Sequence, residues 1–232
     1  MSCDFTYRHY GEVIKEAKKL GFSFHTLRDY INDGPDNNFI ILRHDVDISI
    51  KHALRMAEFE NSFGVKSTYF VRVSKILDPF SKENSDRLKI IADLNHEIGL
   101  HYDSDIIRLG DFKSYLSDKK KLLERAAKTK ICGAALHKVK RLDGKKEIEK
   151  LNFIEEFLEE LDLEYDAYSD RFMKNAKYIS DSSRRWKDGC MCEKIREETK
   201  LYILTHPIWW SSFTASTVTI FEELLDSKTN SS

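Results

Sequence analysis

The chain has 232 residues, 41% of them hydrophobic and 33% charged, and its 38 basic and 39 acidic residues leave a formal charge of −1. That length accommodates one sizeable core, and the charge balance speaks against a dedicated nucleic-acid surface, which shows a clear basic excess. No apolar run approaches the ~18 residues of a membrane span. Glu12, Lys15, Glu16, Lys18 and Lys19 interrupt the first twenty residues, so neither a transmembrane helix nor a signal peptide is predicted and a cytoplasmic location is expected.

The pattern then alternates helix and strand. Residues 8–20 place Val13, Ile14, Ala17 and Leu20 on one helical face, and Gly21 closes the segment. FIILR at 39–43 is a short apolar run of the kind buried on both faces of a parallel sheet. A helix is predicted over 49–63, with Ala53, Met56, Ala57 and Phe63 inward and Gly64 as its stop. STYFVRV at 67–73 reads as a strand from its β-branched and aromatic residues. Helix follows at 83–95, strand at 97–102 (EIGLHY), helix at 111–128 and strand at 131–136 (ICGAAL). A helix at 145–161, a strand at 163–168 (LEYDAY) and YISD at 178–181 continue the series. A helix near 191–199, LYILT at 201–205 and a last helix near 214–226 end it. Strands separated by helices imply right-handed crossovers and a parallel sheet. Six or seven such units around one rim suggest a barrel more than an open sheet. With nine Gly, three Pro and no linker-like stretch, residues 1–232 are expected to form one domain, the helix at 8–20 packed on the barrel.

Four polar clusters each close an apolar run: RHDVD at 43–47, HEIGLHYD at 96–103, ALHK at 135–138 and LTHP at 204–207. Alternation along a strand points Asp45 and Asp47 the same way, and likewise His101 and Asp103. If these runs are neighbouring parallel strands, the clusters meet at one rim. A divalent metal such as zinc takes carboxylate oxygen or neutral imidazole ligands, and in catalytic sites leaves a position for water, whose pKa falls to ~7. A second carboxylate beside the ligand can take that water's proton. Asp-Val-Asp supplies both from one strand end, and His206, before Pro207, is placed to protonate a leaving group.

Plainer readings compete. Asp45 and Asp47 also suit helix N-caps, and His101 or His137 taken singly suits a surface position. His96 reads as structural, and His9, His25 and His52 as ordinary helix or surface histidines. Trp209 and Trp210 suit stacking on a sugar or closing the barrel. Cys190 and Cys192 could hold a soft metal, but no second cysteine pair completes a tetrahedral set, so reduced thiols are the simpler expectation.

Together the motifs resemble the polysaccharide deacetylase superfamily, over about residues 35–210 and in matching order. The resemblance implies a distorted (β/α) barrel with six or seven parallel strands and a metal, usually zinc, at the C-terminal rim of the strands. It also implies removal of N-acetyl groups, as in the members that act on chitin oligosaccharides and peptidoglycan. Asp45 matches the family's base and Asp47 its first metal ligand. NHEIGLHYDSD at 95–105 aligns with the family's G-H-E-I-G-N-H-T-x-x-H, so His101 matches a metal histidine and Asp105 stands where a second is usual. His137 and Lys138 occupy the strand end that normally carries an Arg before Pro, and Leu204, Thr205 and His206 match the closing Leu-x-His.

The third ligand stays open. His137 would restore an Asp/His/His set, Asp105 would make the site more anionic, and Asp103 is a contender or a partner orienting the His101 imidazole. A second carboxylate ligand would hold Zn2+ while favouring Mn2+, Fe2+ or Co2+ more than the parent site does. YISDS at 178–182 and Arg185–Trp186 resemble a particular deacetylase-like branch. There Tyr178, Asp181, Arg185 and Trp186, with Arg43 and Asp103 at the rim, would form a substrate wall, the arginines suiting phosphate or carboxylate. The bland version leaves Arg184 and Arg185 in solvent and Trp186 in the core. The expected activity is metal-dependent hydrolysis of an N-acyl group, acetyl first, on an amino sugar or a phosphorylated or nucleotide-linked carbohydrate. The alternatives are a lapsed sugar-binding barrel and a hydrolase of another C–N amide bond.

Overall fold

The computed structural model describes residues 4–34, 36–75, 77–104, 106, 110–137 and 152–222. Thr6 accepts from the His9 amide and starts helix α1 (Tyr7–Lys19), which buries Tyr10, Val13, Ile14 and Ala17. Strand β1 (Ser23–His25) and helix α2 (Leu27–Asp33), capped by Thr26, come next. Then β2 (Phe39–Val46), α3 (Ile50–Asn61), β3 (Thr68–Arg72) and α4 (Lys82–Asp93) alternate as the pattern predicts. They are followed by β4 (Glu97–Asp103), α5 (Phe112–Ala127), β5 (Gly133–His137) and β6 (Tyr165–Asp166). Helix α6 (Asp170–Met173), β7 (Lys177–Ser180), α7 (Met191–Glu197) and β8 (Lys200–Thr205) complete the series.

Every strand pairs in parallel, in the order β6-β5-β4-β3-β2-β8-β7, with β1 added beside the start of β2. The result is a distorted (β/α) barrel. Among the described residues β6 and β7 do not pair, and the chain after β6 spans that gap. There Tyr202 Oη donates to the Ala167 carbonyl at 3.0 Å and Phe172 is fully buried.

Two faces of β2 explain where the site lies. Ile40 and Leu42 join the core beneath the helices, whereas Phe39 and Ile41 join Phe70, Tyr165, Phe172 and Tyr202 in the barrel interior. Period-two alternation carries the interior file on to Arg43 and Asp45. The interior therefore changes along its axis from apolar packing to charged groups at the C-terminal rim. Two glycines make the apolar part fit. A Cβ on Gly133 would stand 2.0 Å from the Tyr165 ring, and one on Gly99 would stand 2.4 Å from that of Phe70.

The differences from the sequence pattern have local causes. The strand expected at 163–168 is only Tyr165–Asp166, because Ser169 and Phe172 start a turn that crosses the gap. Of the helix expected at 145–161, positions 145–151 lie outside the described residues, and the described remainder holds a 3-10 turn, Phe153–Phe157. The last helix is described at 217–222. β1 is three residues long with no buried position, too short to show alternation.

Candidate metal centre

Strand register assembles the rim. Asp103 of β4 lies opposite His137 of β5, Arg72 of β3 opposite His101, and His44 of β2 opposite Thr205 of β8. Asp47, just past β2, places Oδ1 3.3 Å from Nε2 of both His101 and His137. These three ligand atoms all lie within 4.8 Å of one another.

Each imidazole is held by its other nitrogen. His101 Nδ1 donates to the Ala135 carbonyl at 2.9 Å, and His137 Nδ1 donates to Asp103 Oδ1 at 2.8 Å. Asp103 in turn is gripped by Arg72 at 2.9 to 3.1 Å. A protonated Nδ1 leaves the Nε2 lone pair as the free face of each ring. Asp47 Oδ1, facing both lone pairs, is buried without a hydrogen-bond partner. Three convergent acceptors with no shared proton form an arrangement that a divalent cation would satisfy, and the Asp/His/His donor set suits zinc.

Two further groups flank this triad. Asp45, 4% exposed, accepts from Arg43 Nε at 2.8 Å and from an Arg43 terminal nitrogen at 3.0 Å, with Oδ2 3.5 Å from His101 Nε2. Burial pushes its pKa up, but the Arg43 guanidinium and His101 outweigh that and hold it below the usual carboxylate range. His206 Nε2 lies 3.9 Å from Asp47 Oδ2. Its Nδ1 donates to Asp181 Oδ1 at 2.6 Å, and its backbone amide donates to both Asp181 oxygens. Burial pulls the His206 pKa down, yet the adjacent Asp181 carboxylate overcomes this and raises it to about 9. The Asp181 carboxylate thus favours the imidazolium form of His206.

Several expected residues sit elsewhere than the sequence reading put them. Arg43 does not reach the rim surface. It is fully buried between the rings of Phe70 and Tyr168, bonded to Asp45 and to the hydroxyls of Tyr202 and Tyr168. Asp181 is no part of an open wall either: it is 0% exposed, and Trp210 Nε1 takes its second oxygen at 3.0 Å. Asp103 orients His137, not His101. Trp186 stacks on Phe5 at 6.4 Å along the core edge, and Arg185 is exposed. Tyr178 packs against Tyr202 and Tyr168, at 5.4 and 6.4 Å, the two tyrosines whose hydroxyls accept from Arg43. His96 is structural as expected, accepting from the Ser67 amide and donating to the Ala57 carbonyl. Asp105 and Lys138 lie outside the described residues. The sequence reading missed Arg72, whose signal was a lone charge closing the otherwise apolar TYFVR strand.

No protein-family model matches the chain, and no curated protein does. Among solved structures it is similar to the catalytic domain of a peptidoglycan N-acetylglucosamine deacetylase from Eubacterium rectale. Identity is 11%, the match covers 85% of this chain and 86% of that one, and the TM-score is 0.53. It is also similar to a CE4 family pseudoenzyme from Bacillus anthracis, at 18% identity over 83% of this chain, with a TM-score of 0.48. This chain spans only 62% of that protein's length. A third is the chitin deacetylase of the fungal pathogen Colletotrichum lindemuthianum, at 13% identity over 82% of this chain and 81% of that one, TM-score 0.45. The chain has the polysaccharide-deacetylase fold.

Proposed function

We propose that this chain is a metal-dependent hydrolase that removes an N-acyl group, acetyl first, from an amino sugar or a sugar-nucleotide-like carbohydrate. The observation that carries this reading is the meeting of Asp47 Oδ1, His101 Nε2 and His137 Nε2 within 4.8 Å, beside Asp45 and His206. These ligands suit Zn2+ first and also accept Mn2+, Fe2+ or Co2+. Bound there, a divalent cation would polarise the amide carbonyl and bring the pKa of water toward ~7. Asp45 is the carboxylate beside that centre which is not a ligand, and it takes the proton of the attacking water. Arg43 keeps it ionised and fixes its plane. His206, held protonated by Asp181, gives its proton to the departing amine.

The Eubacterium rectale structure is that of a deacetylase, which agrees with the proposed chemistry, although a fold alone does not determine a reaction. One observation favours a second reading, a lapsed carbohydrate-binding barrel: Arg43 already occupies both oxygens of Asp45. Against it, His137 supplies a third ligand where Asp105 would have had to serve.

The test is acetate release from a panel of N-acetylated amino sugars, sugar phosphates and sugar nucleotides by the zinc-loaded chain. Acetate and free amine formed one for one, and lost on chelation, would support the hydrolase. Saturable sugar binding without any turnover, at full metal occupancy, would favour the lapsed barrel.

A further inference from the structure

A second group of metal-ligating side chains lies away from the rim. His9 in the first turn of α1 and Cys190 and Cys192 at the start of α7 are 2%, 5% and 4% exposed. One ligand atom from each lies within 4.8 Å of the other two, and His9 Nε2 is 3.3 Å from Cys190 Sγ. The fold brings these side chains together across 181 positions of sequence.

The surrounding backbone holds them there. Thr6 Oγ1 accepts from the His9 amide at 3.2 Å, and the Glu193 carboxylate accepts from the Cys190 amide at 3.2 Å. Arg196 of α7 clasps both oxygens of Glu16 of α1 at 2.8 and 2.9 Å, so the two helices are tied independently of the cluster. Ligands about 2.0 Å (nitrogen) and 2.3 Å (sulfur) from one ion stand roughly 3.5 to 4 Å apart. The present spacing needs only small side-chain adjustments to reach that.

The donor set differs in kind from that at the rim. It holds one imidazole nitrogen, two sulfurs and no carboxylate, which selects soft cations. We propose that His9, Cys190 and Cys192 form a buried site for one thiophilic cation, with copper(I), which accepts three ligands, the ion that fits best. Zinc in a structural site takes four ligands, so it would need one beyond these. On binding, each thiol loses its proton and each sulfur donates an electron pair to the ion, while neutral His9 donates through Nε2. Two protons are released and no redox change occurs. The ion would staple α1 to α7, and α1 carries Tyr10, whose ring packs edge-on against Trp210 at 4.9 Å.

The test uses the full chain, reduced, metal-free and under argon, titrated with copper(I) and in parallel with zinc. The readout is sulfur-to-metal charge-transfer absorption, which an Asp/His/His site cannot produce. The expected result is a band saturating at one equivalent in the wild type and in His137→Ala. It is lost in Cys192→Ser, and affinity falls at least tenfold in His9→Gln. Should Cys192→Ser fail to fold, alkylation mapping of the wild type in mild urea decides: the ion protects Cys190 and Cys192 but not Cys132. A band with zinc but not with copper(I) would overturn the three-ligand copper(I) assignment. No band with either ion in the folded wild type, or a band that survives Cys192→Ser, would overturn the proposal. Neither failure touches the Asp47 centre, which contains no sulfur.

Discussion

Arg43 and Asp45 stand two residues apart on one strand, point into the same barrel interior and meet through two hydrogen bonds, at 2.8 and 3.0 Å. The pair is almost completely removed from solvent, so each charge depends on the other. Asp45 is therefore ionised and immobile, held against His101 without being a ligand in the Asp/His/His set. Asp45→Asn should lower turnover by at least ~10²-fold, the low end for loss of a general base, while leaving metal content unchanged. Steady-state kinetics with elemental analysis on the same sample checks it. Undiminished turnover would remove Asp45 from the chemistry.

Asp103 links Arg72 to His137 and so sets which nitrogen of His137 faces Asp47. Carboxylate partners of ligand histidines typically govern metal affinity by 10–100-fold. Asp103→Ala should weaken zinc binding by about that factor with the fold retained, read by competition with a chelating dye. Wild-type affinity would mean that His137 needs no such orientation.

Asp181 holds His206 in its acid form, and the sign of the effect on pH dependence follows. Removing the anion favours neutral imidazole, so the His206 pKa should fall from about 9 toward the ordinary 6.5. In Asp181→Asn the alkaline limb of kcat should move to lower pH, and since a pKa of 6.5 leaves about a quarter of His206 protonated at pH 7, kcat at neutral pH should fall roughly fourfold. KM should move little. A pH–rate profile superimposable on the wild type would contradict the acid role of His206.

Beneath the rim, on the helix side of the sheet, Glu60 is fully buried and accepts from Tyr10, His44, Ser67 and Tyr69 at 2.5 to 2.8 Å. Burial raises its pKa, but His44 and the other donors outweigh this and bring it from 4.5 down to about 2. A depressed acid pKa contributes stability that is complete above pH 4.5 and declines as pH falls through about 2. Glu60→Gln should cost about 3 kcal/mol at pH 7, and its stability should fall less steeply than that of the wild type on acidification. Urea unfolding at several pH values measures both. Parallel pH dependence in the two proteins would assign the acid sensitivity elsewhere.

The strands that carry the site were legible because buried parallel strands are short apolar runs, and each of these ended in an uncommon cluster of charges. Alternation placed Asp45 with Asp47 and His101 with Asp103 correctly on common faces. It could not say which neighbour each would meet, since that depends on register between strands far apart in sequence. Asp103 opposes His137 only because β4 and β5 pair as they do. Arg43 was expected at the rim as a substrate-binding group, but two flanking aromatic rings and Asp45 enclose it completely, against arginine's usual preference for solvent. Asp181 was expected on the substrate wall and His9 as an ordinary helix or surface histidine. Each is buried by a partner from a distant segment, Trp210 and Cys190 respectively.

The claim on which the functional account rests is that Asp47, His101 and His137 bind one divalent cation. Zinc titration of the metal-free chain, with His101→Ala, His137→Ala, Asp105→Ala and Cys192→Ser alongside, tests it most directly. The account predicts one equivalent bound without sulfur charge-transfer absorption, lost in His101→Ala and His137→Ala and kept in Asp105→Ala and Cys192→Ser. Full zinc binding of that kind in His137→Ala, or none in the wild type, would contradict it.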